Sequence, residues 1–278
     1  MVSNNNHGRQ DRPPGTSPTS TQDAGPKTSA AVRSALQPPT GNTAAPSART
    51  FPESVGNDFD VFMGSDGHAY LEPHDHGNPT VLRLGTKPAD AFLRQCAHQR
   101  GQLLKTHDVR DVSDTLIAHA ELSGIRRDVW VRTAPVEEGV EIDLGDASST
   151  RARVLPGRVD VVSSGSEVLF WGPLSIRPLP VPPSEGNFGL LWRYVNLSAT
   201  EQMLLEAWLT YTITRAKLDT TIFVILLLLG PQGAGKSVLT RMIQSLVDPS
   251  SIGVQILPRA PRDLAIAAQQ GHLLCFDN

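Results

Sequence analysis

The chain has 278 residues, a formal net charge of −3, and a composition with 39% hydrophobic and 5% aromatic residues. This charge excludes a globally basic surface for nucleic acid, although a local basic patch is enough to bind DNA. Two cysteines, Cys96 and Cys275, give no disulfide framework. The longest apolar run, Ile222–Leu229, is far shorter than the roughly 20 residues of a membrane-spanning helix, so we expect a cytoplasmic protein that does not cross a membrane.

Residues 1–56 are rich in proline, serine, threonine, asparagine and glycine, and they show no periodic apolar pattern. Such a composition cannot bury enough apolar surface to offset the entropy lost when the chain becomes ordered. We therefore predict a disordered N-terminal tail. The tail is either a docking arm for partners or DNA, or simply a solvated segment, and its composition favours the second interpretation.

Residues 57–185 are predicted to form a small α+β module. The turn Asp66-Gly67 lies between two short apolar segments and predicts a β-hairpin. Helical periodicity follows over residues 87–104 and 109–122, and a glycine after the second helix is placed as a C-cap. From residue 128 onward the apolar period changes to two, with glycine-containing turns, which predicts a series of short strands.

Residues 186–278 are predicted to be the N-terminal part of a P-loop NTPase domain. The segment Ser198-Ala199-Thr200-Glu201 is a capping-box pattern that begins a helix, and the apolar run Ile222–Leu229 predicts a buried strand. A glycine-rich loop, an amphipathic helix over residues 237–247, and an apolar segment ending in an acid, His272–Asp277, follow. This alternation of helices and strands indicates an α/β fold.

The glycine-rich loop, Gly230 to Ser237, matches the pattern G-x-x-x-x-G-K-[ST] at every fixed position. Glycines allow backbone conformations that bring amide groups close to phosphate oxygens. Lys236 supplies a positive charge for the β- and γ-phosphates, the Ser237 hydroxyl is a ligand for Mg²⁺, and the following helix directs its positive dipole end at the phosphates. The predicted cofactors are therefore ATP and Mg²⁺, and the predicted ATP-binding residues are Gly230, Gln232, Gly233, Ala234, Gly235, Lys236, Ser237 and Val238.

An apolar segment near the C-terminus, Leu273–Phe276, ends in Asp277 and has the form of a Walker B strand. Such a strand is apolar because it lies inside a covered sheet, and an acid at its carboxyl end holds Mg²⁺ directly or through water. We predict that Ser237 and Asp277 are the metal ligands and that Lys236, Asp277 and Asn278 are the catalytic residues. An asparagine at position 278 can orient water but is a poor base.

These segments resemble the ATPase domain of phage and mobile-element ATP-binding proteins, which are similar to the superfamily-three primase-helicases of the AAA+ class. The resemblance is specific around the P-loop and diffuse over the rest of residues 60–278. The segments that carry it are Leu227–Ser237, Arg241–Pro249, Leu257–Ala268 and Phe276–Asn278, with Val140–Asp146 and Ile176–Pro182 upstream.

The resemblance implies an AAA+/ASCE-like core that is truncated after Walker B, and therefore incomplete at its carboxyl-terminal side. It also implies an ATP-driven motor of a DNA replication protein, with DNA as a partner and a homo-oligomeric ring whose active sites lie between subunits. In such rings a sensor residue and an arginine finger lie beyond the Walker B strand. Without them hydrolysis is affected more than binding, because an arginine finger is worth several orders of magnitude in rate.

Two alternatives to the motor remain open. The chain binds ATP without turnover and acts as an interaction or regulatory module, or it is a P-loop phosphotransferase, which would need a lid and an acceptor site after Asp277. Arg259, Arg262 and Asp263 either contact DNA or a neighbouring subunit, or simply begin a helix. A histidine-rich stretch is interpreted as a solvated loop, because it has neither a cysteine partner nor a helical histidine pair. Its members are His68, His74, Asp75 and His76.

Overall fold

A computed structural model describes residues 58–74, 80–183, 185–216 and 222–277. The predicted tail and Asn278 lie outside these described residues, as do Asp75 and His76. The described part is a mixed α/β structure with two sheets, five α-helices and one 3₁₀-helix. Within it, no helix combines the length and the apolar character that a bilayer crossing requires.

Ten short strands form the two sheets. The strands are β1 (Phe59–Gly64), β2 (Ala69–Pro73), β3 (Thr80–Arg83), β4 (Arg126–Arg127), β5 (Val129–Trp130), β6 (Thr133–Val136), β7 (Gly139–Asp143), β8 (Arg151–Leu155), β9 (Arg158–Val162) and β10 (Leu169–Trp171). The first sheet has the order β4-β1-β2-β3-β10-β5, and the second is the meander β6-β7-β8-β9. In the first sheet β1, β2 and β3 are antiparallel, whereas β4 is parallel to β1 and β10 is parallel to β3 and β5.

The hairpin predicted at Asp66-Gly67 is confirmed, with β1 and β2 paired on either side of it. Gly67 has φ +80°, a left-handed conformation that glycine adopts without steric strain. The two carboxylate oxygens of Asp66 accept hydrogen bonds from the His68 amide at 3.1 Å and from the Tyr70 hydroxyl at 2.7 Å. The turn is therefore fixed by its own residues.

Two helices, α1 (Lys87–Gln99) and α2 (Thr106–Ser123), cover one face of the first sheet and confirm the helical periodicity of the sequence. Helix α1 ends earlier than predicted, because the chain turns at Gly101, which has φ +71°. Gly124 caps α2 in the left-handed conformation, as expected. The buried core under these helices includes Phe59, Leu71, Leu93, Cys96, Val109, Val112 and Leu116.

Tight two-residue turns hold the second sheet together. Leu155 pairs with Arg158 across the turn Pro156-Gly157, where Gly157 has φ +77°. Proline fixes the first central position of such a turn, and glycine supplies the positive φ at the second. The inner face of this sheet is apolar and includes Ile142, Leu144 and Ala152.

A close approach between β7 and β8 leads to our first testable prediction. A Cβ atom on Gly139 would lie 2.0 Å from the carbonyl oxygen of Val154, so Gly139→Ala forces the two strands apart. We expect the free energy of unfolding to fall by about 1–3 kcal/mol, as in overpacked cores. Urea denaturation measures this change, with Gly172→Ala as the control, because a Cβ on Gly172 meets nothing within 4 Å. A loss in Gly139→Ala no larger than that of the control would contradict the strand register.

The named secondary-structure elements of the C-terminal part, over residues 185–216 and 222–277, are all helices. They are a 3₁₀-helix (Phe188–Arg193), α3 (Ala199–Thr214), α4 (Lys236–Val247) and α5 (Pro261–Ala268). The capping box at the start of α3 is confirmed, since the Ser198 amide donates to the Glu201 carboxylate at 2.7 Å and the Glu201 amide donates to Ser198 Oγ at 3.4 Å. Helices α3 and α4 share a core that includes Leu205, Leu209, Leu239, Ile243 and Val247.

The strand predicted over the apolar run Ile222–Leu229 is wrong, because these residues are not hydrogen-bonded into any sheet of the described structure. Partly buried and exposed side chains nevertheless alternate along part of this run, as they would in a strand. Leu226 and Leu228 pack on the core of α3 and α4, while Ile225 is 89% exposed. The apolar periodicity determines which face of the run is buried. Strand hydrogen bonds also need the backbone of a neighbouring strand, and the described residues supply no such strand beside this run.

A candidate phosphate-binding site at the start of helix α4

The glycine-rich loop lies directly before α4, and Gly235 is the N-cap of that helix. Gly233 and Gly235 have φ +82° and φ +80°, so both adopt a conformation that side chains disfavour. The sequence pattern therefore reflects a backbone requirement at these two positions. The turn residues Pro231 to Gly235 are exposed to solvent.

The loop presents backbone amides that donate no hydrogen bond to the residues that the structure describes. Among the hydrogen bonds of the described residues, none is donated by the amides of Gly233, Gly235, Lys236 or Ser237. A Cβ atom built on Gly233 or Gly235 meets nothing within 4 Å, and both residues are exposed, so the loop is not packed against other described residues at these positions. Unpaired amides at a helix N-terminus, together with the helix dipole, attract anions. The backbone donors therefore fit a phosphate group.

The ammonium group of Lys236 lies against the loop. Its Nζ donates hydrogen bonds to the carbonyl oxygens of Gly230 and Pro231, each at 2.8 Å. An ammonium has three N–H groups, so one remains for another acceptor even with both bonds in place. Both of these bonds are exposed, where a charged oxygen of a ligand competes well with a neutral carbonyl.

Ser237 is half-buried in the first turn of α4, next to Lys236. Its hydroxyl makes no hydrogen bond with the described residues, in contrast to Thr240, whose hydroxyl donates to the carbonyl of Lys236 at 2.9 Å. A hydroxyl that the helix does not engage is a suitable oxygen ligand for Mg²⁺.

The predicted Walker B strand is reduced to a single parallel bridge between Gln255 and Phe276. Its two hydrogen bonds run from the Gln255 amide to Cys275 O and from the Asp277 amide to Gln255 O, both at 2.9 Å. The strand prediction for Leu273–Phe276 was therefore too long, because only Gln255 supplies a backbone neighbour in the described structure. Asp277 itself is half-buried.

Cys275, two residues before Asp277, is a buried and neutral group. Burial raises the pKa of its thiol to about 11, and the charge of Asp248 contributes in the same direction. At neutral pH the thiol is therefore protonated and packs as a small apolar side chain. This is consistent with an inner position for the segment that leads to Asp277.

A pocket of about 860 Å³ lies between the 3₁₀-helix and the exposed face of α4. The α4 residues in its wall recur with helical spacing and begin at Val238, the residue after Ser237. No sequence motif predicts this pocket, although the apolar stripe along α4 is a signal for it. Its lining residues include Asn187, Phe188, Leu191, Tyr194, Val238 and Met242.

The other polar groups singled out from the sequence do not form a second site. No group of three metal-ligating side chains occurs within the described ranges, to which His68 and His74 belong. Arg259 and Arg262 are exposed, and α5 begins at Pro261 as the helix-start interpretation predicted.

No protein-family model matches the chain, and no curated protein matches it either. Any assignment therefore depends on the residues and on the geometry described above.

Proposed function

We propose that this chain is the ATP-binding module of a phage-like or mobile-element DNA replication protein, with a P-loop NTPase core. The observation that carries the proposal is the start of α4, where unpaired amides, an exposed lysine ammonium and an unengaged serine hydroxyl meet at one open turn. This combination provides donors for polyphosphate and an oxygen ligand for a hard cation at adjacent positions.

Each residue of the site has a separate role in this proposal. The amides of Gly233, Gly235 and Ser237 hold phosphate oxygens, and Lys236 leaves the loop carbonyls to neutralise the β- and γ-phosphates. Ser237 and Asp277 hold Mg²⁺, which when bound withdraws charge from the phosphates. Asn278 would orient a water molecule but would not deprotonate it efficiently.

The motor and the binding module differ in whether they hydrolyse ATP. A primase-helicase type ATPase acts as a homo-oligomeric ring on DNA in the cytoplasm, whereas the alternative is an ATP-binding, hydrolysis-deficient module with an interaction or regulatory role. Steady-state phosphate release, measured with and without single-stranded DNA, separates them. Release that DNA stimulates supports the motor, and ATP binding without release supports the binding module.

The pocket beside α4 fits the nucleoside half of ATP in this proposal. Its volume lies in the range of small-molecule sites, and its wall combines aromatic and aliphatic side chains with a few polar groups. Phe188 is 39% exposed and stacks on Trp192 with ring centroids 6.3 Å apart, so an aromatic face is available at the pocket wall. We therefore assign the adenine base to this wall.

The Phe188→Ala variant tests the assignment of the base. We expect ATP affinity to fall about 10-fold, because stacking of a base on an aromatic ring is worth about 1–3 kcal/mol. Affinity for inorganic tripolyphosphate should stay within about twofold, since it lacks the base. Calorimetry measures both ligands, and Phe223→Ala is the control because Phe223 is 45% exposed outside the pocket. Equal losses for ATP and tripolyphosphate would contradict the assignment.

A further inference from the structure

A buried carboxylate, Asp248, joins three parts of the chain directly after α4. Its Oδ1 accepts a hydrogen bond from Arg132 Nε at 2.9 Å. Its Oδ2 accepts the backbone amides of His272 at 2.6 Å and Leu273 at 3.1 Å. Asp248 is 1% exposed, so these bonds are shielded from water. Asp248 therefore joins the end of α4, the start of the segment leading to Asp277, and the β-rich module, which is formed by strands β4 to β10 over residues 126–171.

The guanidinium of Arg132 makes two further hydrogen bonds, both to backbone carbonyls. Its Nη1 donates to the carbonyl of Asp143 at 3.0 Å, and its Nη2 donates to the carbonyl of Arg177 at 2.9 Å. Arg132 is 1% exposed, and its backbone has φ +66°, which is uncommon for a residue with a side chain. Strained backbone persists where the surrounding structure determines it, so the position of this arginine is set by its contacts.

Helix α4 ends at Asp248, and the segment His272–Asp277 begins at the same side chain through its hydrogen bonds. The two have similar lengths. Helix α4 has 12 residues and so spans about 18 Å back to the phosphate loop. The segment from His272 to Asp277 spans about 17 Å when extended. Leu273 packs against the same core as Leu239 and Val247, which places the start of this segment on α4. A segment of this length that ran back along α4 would bring Asp277 level with Ser237.

The energetics of the pair argue for a positional role. A buried ion pair often adds no net stability over an apolar pair of the same size, because both charges lose their hydration. Here, however, the carboxylate accepts three hydrogen bonds from parts of the chain that are far apart in sequence. A buried hydrogen-bond network of this kind fixes the relative positions of the elements it connects.

We propose that Arg132 and Asp248 are positioning residues for the metal ligand Asp277. By fixing the start of the segment at the end of α4, they set the distance between Asp277 and Ser237 that Mg²⁺ must bridge. This inference rests on the proposed function of the phosphate loop. It adds that the β-rich module, through Arg132, affects the binding of Mg²⁺ by Asp277. The binding of the phosphates by the loop amides and Lys236 is unaffected.

Asp248→Asn tests this proposal with little change in shape. ATP affinity is measured by calorimetry on the full chain, once with Mg²⁺ and once with EDTA. The Mg²⁺-dependent gain is the ratio of the ATP affinity with Mg²⁺ to that in EDTA. We expect this ratio to fall about 10-fold, as when residues supporting a metal ligand are changed. ATP affinity in EDTA should stay within about twofold of the unsubstituted chain, because the loop amides and Lys236 are unaffected.

A double-substitution cycle shows whether Asp248 acts through Asp277. Asp277→Asn alone should remove the same Mg²⁺-dependent gain, and adding Asp248→Asn to it should change nothing further. Asp58→Asn, which breaks the ion pair of Asp58 with Arg100 at 2.7 Å on the first sheet, is the control and should retain the full gain. A purely structural role would lower ATP affinity in EDTA as well.

Each outcome decides the proposal. An Asp248→Asn variant with an unchanged Mg²⁺ gain overturns it, and so does an additive effect in the double variant. If Asp248→Asn does not fold, Arg132→Lys is measured in the same way, since lysine retains the charge but cannot make all three bonds of Arg132. Absence of ATP binding by the unsubstituted chain would refute the proposed function itself, which is a different result from a failed cycle.

Discussion

Replacement of Lys236 by alanine should weaken ATP binding about 100-fold or more, since a charge-assisted hydrogen bond contributes about 1.5–3 kcal/mol and the ammonium faces more than one phosphate oxygen. The thermal midpoint of unfolding should change little, because the two bonds that Lys236 makes in the structure are exposed and connect only the loop to itself. Calorimetric titration of ATP with Mg²⁺ and a thermal melt measure the two quantities.

A matched lysine controls for the loss of one positive charge. Lys87 is exposed and lies in the first turn of α1, so Lys87→Ala removes the same charge at a helix start outside the loop. We expect this variant to bind ATP within about twofold of the unsubstituted chain. Equal ATP affinity in Lys236→Ala and Lys87→Ala would show that Lys236 does not contact the nucleotide.

Replacement of Glu141 by alanine should have the largest effect on stability. Glu141 is fully buried in β7, where one carboxylate oxygen accepts from Arg153 Nε at 2.8 Å and the other from Ser166 Oγ at 2.6 Å. Arg151 is fully buried, with its Nη1 3.6 Å from the same carboxylate, and burial lowers the pKa of its guanidinium. Removing the carboxylate leaves a buried positive charge, which costs about 3–5 kcal/mol.

Urea denaturation of the Glu141→Ala variant measures this loss. Asp160→Asn serves as the control, because it breaks an exposed ion pair with Arg158 at 3.2 Å in the same sheet. Exposed pairs contribute about 0–1 kcal/mol, so the control should unfold close to the unsubstituted chain. If Glu141→Ala is no less stable than Asp160→Asn, the buried network does not stabilise the second sheet.

Local signals in the sequence predicted the local structure well. The turn at Asp66-Gly67, the capping box at Ser198 and the C-cap at Gly124 all occur as expected. Each depends on residues within a few positions of one another, so the relevant physical interactions are visible in the sequence itself. The start of α4 at Lys236 is another local feature of this kind.

Non-local pairing was not accessible from the sequence. The run Ile222–Leu229 has the composition of a buried strand, yet strand formation depends on a backbone neighbour that no periodicity specifies. The place of β10 between β3 and β5, and the contact between Arg132 and Asp248, join residues that are far apart in the chain. The pocket beside α4 was missed for the same reason, because its two walls come from separate elements.

One helix connects the candidate sites. Helix α4 begins at the phosphate loop, forms one wall of the pocket, and ends at Asp248. In the proposal Asp248 acts on Asp277 through the segment that begins at His272, where the His272 and Leu273 amides donate to its carboxylate. The Mg²⁺-dependence of the Asp248 variant measures this link, while the loop amides at the other end of α4 stay unaffected.

The central claim is that the amides of the loop before α4 hold the phosphates of ATP. Glycine-selective ¹⁵N labelling gives one backbone signal for each of the 23 glycines, which include Gly230, Gly233 and Gly235. On addition of ATP and Mg²⁺ we expect the Gly233 and Gly235 amide signals to shift most, and AMP at the same concentration to leave them nearly unchanged. Unshifted loop glycines in the presence of saturating ATP would contradict the claim.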